Sequence, residues 1–553
     1  MMVAVLFAAV SCSKKLEPLS SNYFSVDPSP LELVGTQVPA TVNGKFPEKW
    51  FNKNAVVTIT PVLKYEGQEA FGTPYTYQGE KVAGNGIVIS NSKGGLFTIK
   101  SSFNYVPQMR KSELYLRFEA SIKGKKINLP DIKVADGVNA TADLATAAAT
   151  TPAIAPDAFQ RIIKEKHDAN ILFLIQQANL RKSELNSNNL NAWKKLVQDA
   201  SNDSKKNVDV EISAYASPDG GVSLNEKLAE NREKNTNTYL KKDFEKKDID
   251  PEINANYTAQ DWEGFQELVK ASNIQDKDLV LRVLSMYPDP QTREREIKNI
   301  STVFKELAET ILPQLRRSRL TANVEIIGKT DEEMNALWSS DKSKLNLEEL
   351  LYFANLPASD QKAVYSYASQ TYPNDPRAWN NLGNVFYSQG DLSSAASYYN
   401  KAAAISSGTA ATNANLGLLA INSGDLSKAQ QYLGNASGAS NLNEVMGLLY
   451  LKQGNYVQAA QAFGDTKSNN AAVAQILVKN YNKAQQIVDA IPNKDANTSY
   501  IAAVIAARTN NASGVVSNLR NAILKDRSLL NKAKTDLEFS KLLTNPDVLN
   551  VLR

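Results

Sequence analysis

Hydrophobic and polar positions change their period along this chain, and each change marks a different kind of structure. From about residue 22 to 138 they alternate. Val57, Ile59, Leu63 and Tyr65 are set apart by polar or small residues, and Leu114, Leu116, Phe118, Ala120 and Ile122 interleave with Glu113, Tyr115, Arg117 and Glu119. Period two is that of strands with one buried face. With turns such as Gly84-Asn85-Gly86 and Lys93-Gly94-Gly95 between them, these runs predict a small antiparallel β-sandwich. Trp50, Phe51 and Phe71 are expected in its core or turn packing. Residues 139–158, NATADLATAAATTPAIAPDA, hold Ala, Thr and Pro without a periodic apolar face and read as an interdomain linker.

Between 159 and 330 strand and helix patterns follow one another. The apolar run 171–175 predicts a strand buried on both faces, and a helix over about 190–200 follows it. Val208, Val210 and Ile212 then alternate with Asp209, Glu211 and Ser213 until Ser217-Pro218-Asp219-Gly220-Gly221 breaks the strand. A helix from about Ser223 places Asn225, Leu228 and Arg232 on one face toward that loop, an arrangement able to hold a ligand. Residues 262–311 add three helical patterns, with Trp262, Phe265, Leu268 and Val269 on one amphipathic face and Ile297, Ile300, Val303, Phe304 and Leu307 on another. A last strand over 320–327 follows Arg316, Arg317, Ser318 and Arg319. Those arginines are either a solvated approach to the strand or a contact for anionic polymer or lipid headgroups.

Tyr215, Gly220, Asn225, Leu228 and Arg232 match the motif of the OmpA C-terminal-like domain, which residues 159–330 resemble. In that family an aspartate and an arginine clamp the zwitterionic end of a peptidoglycan diamino acid, the carboxylate taking the ammonium and the guanidinium the carboxylate. Here the arginine position is Arg232 and the aspartate position is Ser217. The resemblance thus implies a site for a peptidoglycan stem peptide made of Tyr215, Ser217, Asp219, Asn225 and Arg232, with Asp219 or Asp261 as substitute acceptor. The alternative use of Arg232 is to bond loop carbonyls and close the turn. The insertion 262–311 departs from the family pattern.

From about 345 to the end a helical repeat sets in. Trp379, Leu382, Gly383, Phe386, Gly390, Ala395, Tyr399 and Ala402 are followed 34 residues on by Leu416, Gly417, Gly424, Ala429 and Ala436, and a third copy carries Met446, Gly447, Tyr450, Gly454, Ala459 and Phe463. These residues resemble tetratricopeptide repeats, with degenerate copies near 472–490 and 503–522 and a capping helix near Leu549. Such pairs stack into a superhelix with a concave groove. Asn380, Asn381, Asn384 and Asn415 are its candidate lining, because asparagine offers both donor and acceptor to an extended peptide backbone. Plain solvation is the alternative.

The fold expected is therefore multidomain: an N-terminal β-sandwich (22–138), a central α+β OmpA-like domain (159–330) with a helical insertion, and a C-terminal all-α tetratricopeptide superhelix (345–553). At 553 residues the chain is too long for one core. A net charge of +4, with both signs interspersed, gives no support to nucleic acid binding. Residues 1–11 form a short apolar run ending in Ala9, Val10 and Ser11, and the lone cysteine, Cys12, follows; this is the pattern of a bacterial lipoprotein signal with Cys12 as acyl acceptor and 12–21 as tether. The layout resembles envelope lipoproteins of Bacteroidota, and Lys14 and Lys15 after the cysteine imply the periplasmic side of the outer membrane. One cysteine and one histidine, His167, allow no thiolate or imidazole metal cluster and no nucleophile with its base. Glu332 and Glu333 read as a solvated face. The expectation is a non-enzymatic, cofactor-free outer-membrane lipoprotein that contacts peptidoglycan and scaffolds a protein partner. Its rival is an assembly subunit of an outer-membrane barrel-insertion or secretion machine without peptidoglycan binding.

Overall fold

A computed structural model describes residues 16–274, 276–406 and 409–553; Cys12 and the expected signal lie outside them. The chain divides into two units, one of residues up to 157 together with 350–553, the other of 158–349.

In the first unit the alternating N-terminal stretch makes two sheets. Phe24–Asp27, Gln37–Phe46 and Gly95–Asn104 form a three-stranded sheet, and Ala55–Tyr65 paired with Ser112–Ile122 is the centre of a seven-stranded one. Register follows the pattern of the sequence: Ala55 faces Ile122 and Tyr65 faces Ser112, so the apolar sets of both strands share a side. Val38, Val42 and Phe46 from one sheet and Val57, Ile59, Leu114 and Leu116 from the other meet in one core. Phe51 joins that core and the half-buried Trp50 stacks on Phe46 at 5.3 Å. Phe71 departs from expectation. It sits on the short edge strand Gln68–Phe71, where no second layer covers it, and stays exposed beneath the Arg117 guanidinium, 5.6 Å away.

Five helix pairs follow in 350–553, from Pro376–Ser388 with Leu392–Ser406 to Ala496–Arg508 with Ala512–Lys525, and Leu529–Thr535 and Pro546–Val551 close the stack. The small residues of the repeat stand where helices touch. A Cβ on Gly383 would lie 2.6 Å from the Tyr399 ring, and Gly390 turns the chain between the two helices at a φ of +78°.

Residues 139–157 are not the free linker their composition suggested. Ala145, Ala147, Ala153 and Ala155 belong to the hydrophobic core of the helix pairs, with Ala153 1% and Ala155 2% exposed. The segment needs no amphipathic period because it is a strap lying among helices, two 3₁₀ turns at Thr141–Leu144 and Ala147–Ala149 followed by an extended run, and alanine is small enough for the backbone to approach them.

The second unit is a four-stranded sheet in the order Ile162–Leu172, Arg317–Ile327, Lys206–Tyr215, Glu252–Thr258. Only the last pair is parallel. Asn188–Ser201 and Val222–Glu245 cover one face, packing Trp193, Val197, Leu240 and Phe244 on Ile171, Val210, Ile212 and Leu320. The strand expected over 171–175 ends instead at Leu172, and Leu174 and Ile175 are exposed beyond it. The last strand starts at Arg317, earlier than expected, and lies inside the sheet. Glu252–Thr258 went unforeseen because an exposed edge strand needs no apolar alternation. The insertion holds four helices, Trp262–Ala271, Lys277–Met286, Pro290–Asn299 and Ser301–Thr310, then the short Leu312–Leu315, around a core of Phe265, Val269, Val280, Leu307 and Leu315. No helix among the described residues is long and apolar enough to cross a membrane.

Candidate functional sites

The loop after Lys206–Tyr215 gathers all five residues of the expected stem-peptide site, and their bonds run within the protein. Arg232 projects from Val222–Glu245 into the loop and is 1% exposed. Its Nε donates to the Gln177 carbonyl at 3.0 Å, Nη1 to the Tyr215 carbonyl at 2.7 Å and Nη2 to the Leu174 carbonyl at 3.4 Å, while Phe173 lies 4.9 Å under the guanidinium. Burial pushes its pKa down to about 10, still well above neutral, so the group stays charged. Asn225 donates to the carbonyls of Ser217 and Gly220 at 2.9 and 2.8 Å and so fixes the loop.

Ser217 donates to Asp219, and both accept from Arg316 at 3.2 Å. Asp261, the other candidate acceptor, is buried, caps Trp262–Ala271 through the Gly264 amide at 2.8 Å and pairs with Arg317 at 3.2 Å. Arg316 and Arg317, which looked like part of a solvated approach, are therefore ion-pair partners inside the unit. Arg317 and Arg319 also flank the Tyr215 ring, at 5.6 and 5.8 Å. Between the loop residues Pro218 and Asp219 and the insertion there remains a cavity of about 10 Å³, no more than the space of one water. Three of the five guanidinium N–H groups of Arg232 are thus bonded to carbonyls, and the side chain is closed off from solvent.

The helix-pair groove carries the second set. Asn415 accepts from the Ala153 amide at 2.7 Å and donates to the Ala153 carbonyl at 2.9 Å; Asn381 does the same to Ala155 at 2.8 and 2.9 Å. These two asparagines are one repeat length apart. Asn380 and Asn384 add donors to the Ala153 carbonyl at 3.1 and 2.9 Å. The asparagines thus grip an extended backbone, as their chemistry predicted, and the backbone is the chain's own strap.

Sequence reasoning missed the rest of that grip. Asn470 closes the same pair of bonds on Thr146, at 3.0 and 2.9 Å, Asn441 donates to the Thr151 carbonyl at 3.0 Å, and the Tyr387 hydroxyl donates to the Ala147 carbonyl at 2.7 Å. Near the last pair Thr141 bonds Glu538, which pairs with Arg508 at 2.6 Å. Asparagine early in the first helix of each pair was the signal available for Asn470. His167 lies on Ile162–Leu172, within 3.0 Å of Glu165. Glu333 completes a capping box with Thr330 and pairs with Lys205. No group of three metal-ligating side chains occurs among the described residues.

Residues 362–410 match the tetratricopeptide repeat family. Repeats of this kind suggest a scaffold for protein–protein interaction, a fold that is in general not catalytic. No curated protein matches the chain. Among solved structures it is similar to the Cut9–Hcn1 hetero-tetramer of APC/C, 15% identical over 52% of this chain and 58% of that one, with a TM-score of 0.32. A tetratricopeptide repeat protein from Parabacteroides merdae is 12% identical over 40% of this chain and 91% of its own, TM-score 0.29. PilF of Pseudomonas aeruginosa is 18% identical over 39% and 99%, TM-score 0.29. The chain spans less than two thirds of the Cut9–Hcn1 chain it matches.

Proposed function

We propose that this chain is a non-enzymatic outer-membrane lipoprotein, acylated at Cys12 and facing the periplasm, that serves as an assembly module for a protein partner. In this reading residues 159–330 are an OmpA-like domain that has given up its polymer. The observation that carries it is the state of Arg232: every bonded donor is committed to a loop carbonyl, and Ser217 stands where the family has its aspartate.

The repeats contribute a rigid surface more than an open groove. The strap is tethered at both ends, so a free peptide competes against an effective concentration on the order of millimolar. A partner therefore engages the outer faces of the helix pairs. Sedimentation with purified sacculi tests the proposal: wild type is expected to stay in the supernatant while a protein partner is retained in a pull-down from intact envelopes. The second reading, contact with a peptidoglycan stem peptide, takes over if wild type co-sediments and Asp219→Ala does not. For the anchor, labelling with a clickable fatty acid is expected in wild type and absent in Cys12→Ala.

A further inference from the structure

One end of the two-sheet domain is a basic surface with no internal partner. The loops 47–54, 80–86, 90–94 and 123–124 meet there, tied together by backbone bonds from Lys49 to Asn91 at 2.7 Å, Lys81 to Lys53 at 2.8 Å and Lys123 to Asn54 at 3.3 Å. Lys45, Lys49, Lys53, Lys81, Lys93 and Lys123 are all exposed, and none of their ammonium groups takes part in an ion pair among the described residues. Glu17, Glu48 and Glu80 are the acids interspersed with them. Elsewhere in the domain Lys64 and Arg117 pair with Asp131, Arg110 with Asp143 and Lys133 with Asp136.

The same end carries apolar side chains in the open. Leu96, paired in register with Lys45, is 80% exposed, and Ile87 and Val88 on the edge strand are exposed as well. Lysines around bare aliphatic groups match a lipid surface, where the ammonium groups meet anionic headgroups and the apolar groups enter the boundary below them. The N-terminal segment leaves the domain here: Leu16 and Leu19 are buried, and the Trp50 indole donates to the Glu17 carbonyl at 2.8 Å. Three residues lie between Cys12 and Leu16 in the sequence, so four Cα steps give a reach of at most about 14 Å. The repeats dock at the opposite end, where the Tyr456 hydroxyl donates to the Leu33 carbonyl at 2.8 Å.

We propose that this lysine-rich end of the two-sheet domain is a membrane-contact surface that lies on anionic lipid headgroups. The proposal rests on the proposed function only for its placement: acylation at Cys12 would bring this end of the domain to the bilayer.

The test uses the full chain with Cys12→Ser, so that no acyl group takes part, and flotation with phosphatidylcholine–phosphatidylglycerol vesicles against phosphatidylcholine alone. Binding is expected only to the anionic vesicles and is expected to weaken with salt. Combined Lys49→Gln, Lys53→Gln, Lys81→Gln and Lys93→Gln should lower partition by about tenfold or more, while Lys195→Gln with Lys241→Gln and Lys242→Gln leaves it unchanged. Absence of flotation, equal flotation of both variants, or capture by the acidic polymer heparin without flotation overturns the surface. Fatty-acid labelling of the native chain reports on Cys12 separately, so an unlabelled chain that still floats removes the anchor and keeps the surface.

Discussion

The Arg232 loop and the asparagine groove both grip backbone, and they do it with opposite chemistry. Arg232 has donors only, so it satisfies carbonyls and brings a buried charge with it; Asn381, Asn415 and Asn470 each answer the N–H and the C=O of one residue and stay neutral. The arginine bonds carbonyls 17 to 58 residues away and closes a loop within its own unit. The asparagines bond residues 226 to 324 positions away and so join segments remote in sequence. A charged clamp suits one strained turn. A ladder of neutral clamps suits an extended strap, because it can be repeated without accumulating buried charge.

The sharpest way to break this comparison is at the charge. Arg232→Ala leaves three carbonyls without their donor in a closed site and should cost about 3 to 5 kcal/mol. Hydrogen exchange should show protection falling in 206–245 and not in the repeats. Arg232→Lys should recover little, since one ammonium cannot reach three carbonyls set apart around a planar fork.

In the groove the unit of loss is smaller. Asn381→Ala strands the Ala155 amide and carbonyl and should cost about 2 kcal/mol, while Asn415→Ala strands the Ala153 amide alone, because Asn380 and Asn384 remain on its carbonyl, and should cost about 1 kcal/mol. The double variant should depart from the sum because Asn380 bonds both, donating to Asn381 at 3.0 Å and accepting from Asn415 at 3.1 Å. Limited proteolysis reads it directly, as early cutting within 146–157 of the full chain. Tyr387→Phe, which deletes one hydroxyl donor to Ala147, should cost about 1 kcal/mol and give the same cut more slowly.

These two sites also mark how far the sequence could be read. Period-two alternation at 55–65 and 112–122 was enough for the sheets, and the 34-residue repeat for the first helix pairs, because both patterns come from which face is buried. Arg232 and Asn225 were brought to one loop as spacing implied. What spacing could not give is the occupant. The carbonyls of Leu174 and Gln177 reach Arg232 because the chain leaves the sheet at Leu172, two residues into an apolar run that pointed to a buried strand. The strap was illegible for a related reason: ATAAATTPAIA has no face, and an element gripped by its backbone shows no side-chain period.

The smallest expected effect is a pH dependence at the charged end of the groove. Asp536 is half-buried, accepts from the Tyr500 hydroxyl at 2.7 Å, and loss of solvent around it raises its pKa above the usual carboxylate value. Between that usual value and the raised one, the folded chain holds a proton that the unfolded chain has released. Its contribution to stability is therefore greatest below the window and declines as pH rises through it. Asp536→Asn, which keeps the polar contacts, should flatten the change in thermal midpoint from acid to neutral pH.

The order of synthesis gives the strap a further consequence. Residues 139–157 leave the ribosome before 158–349, and their binding partners in 376–470 come after that whole unit. During that interval the strap exists as a naked Ala-Thr-Pro ribbon with unpaired amides. Its composition is well suited to waiting: threonine and proline keep it solvated, and Leu144 and Ile154 are its only long apolar side chains until the asparagines arrive.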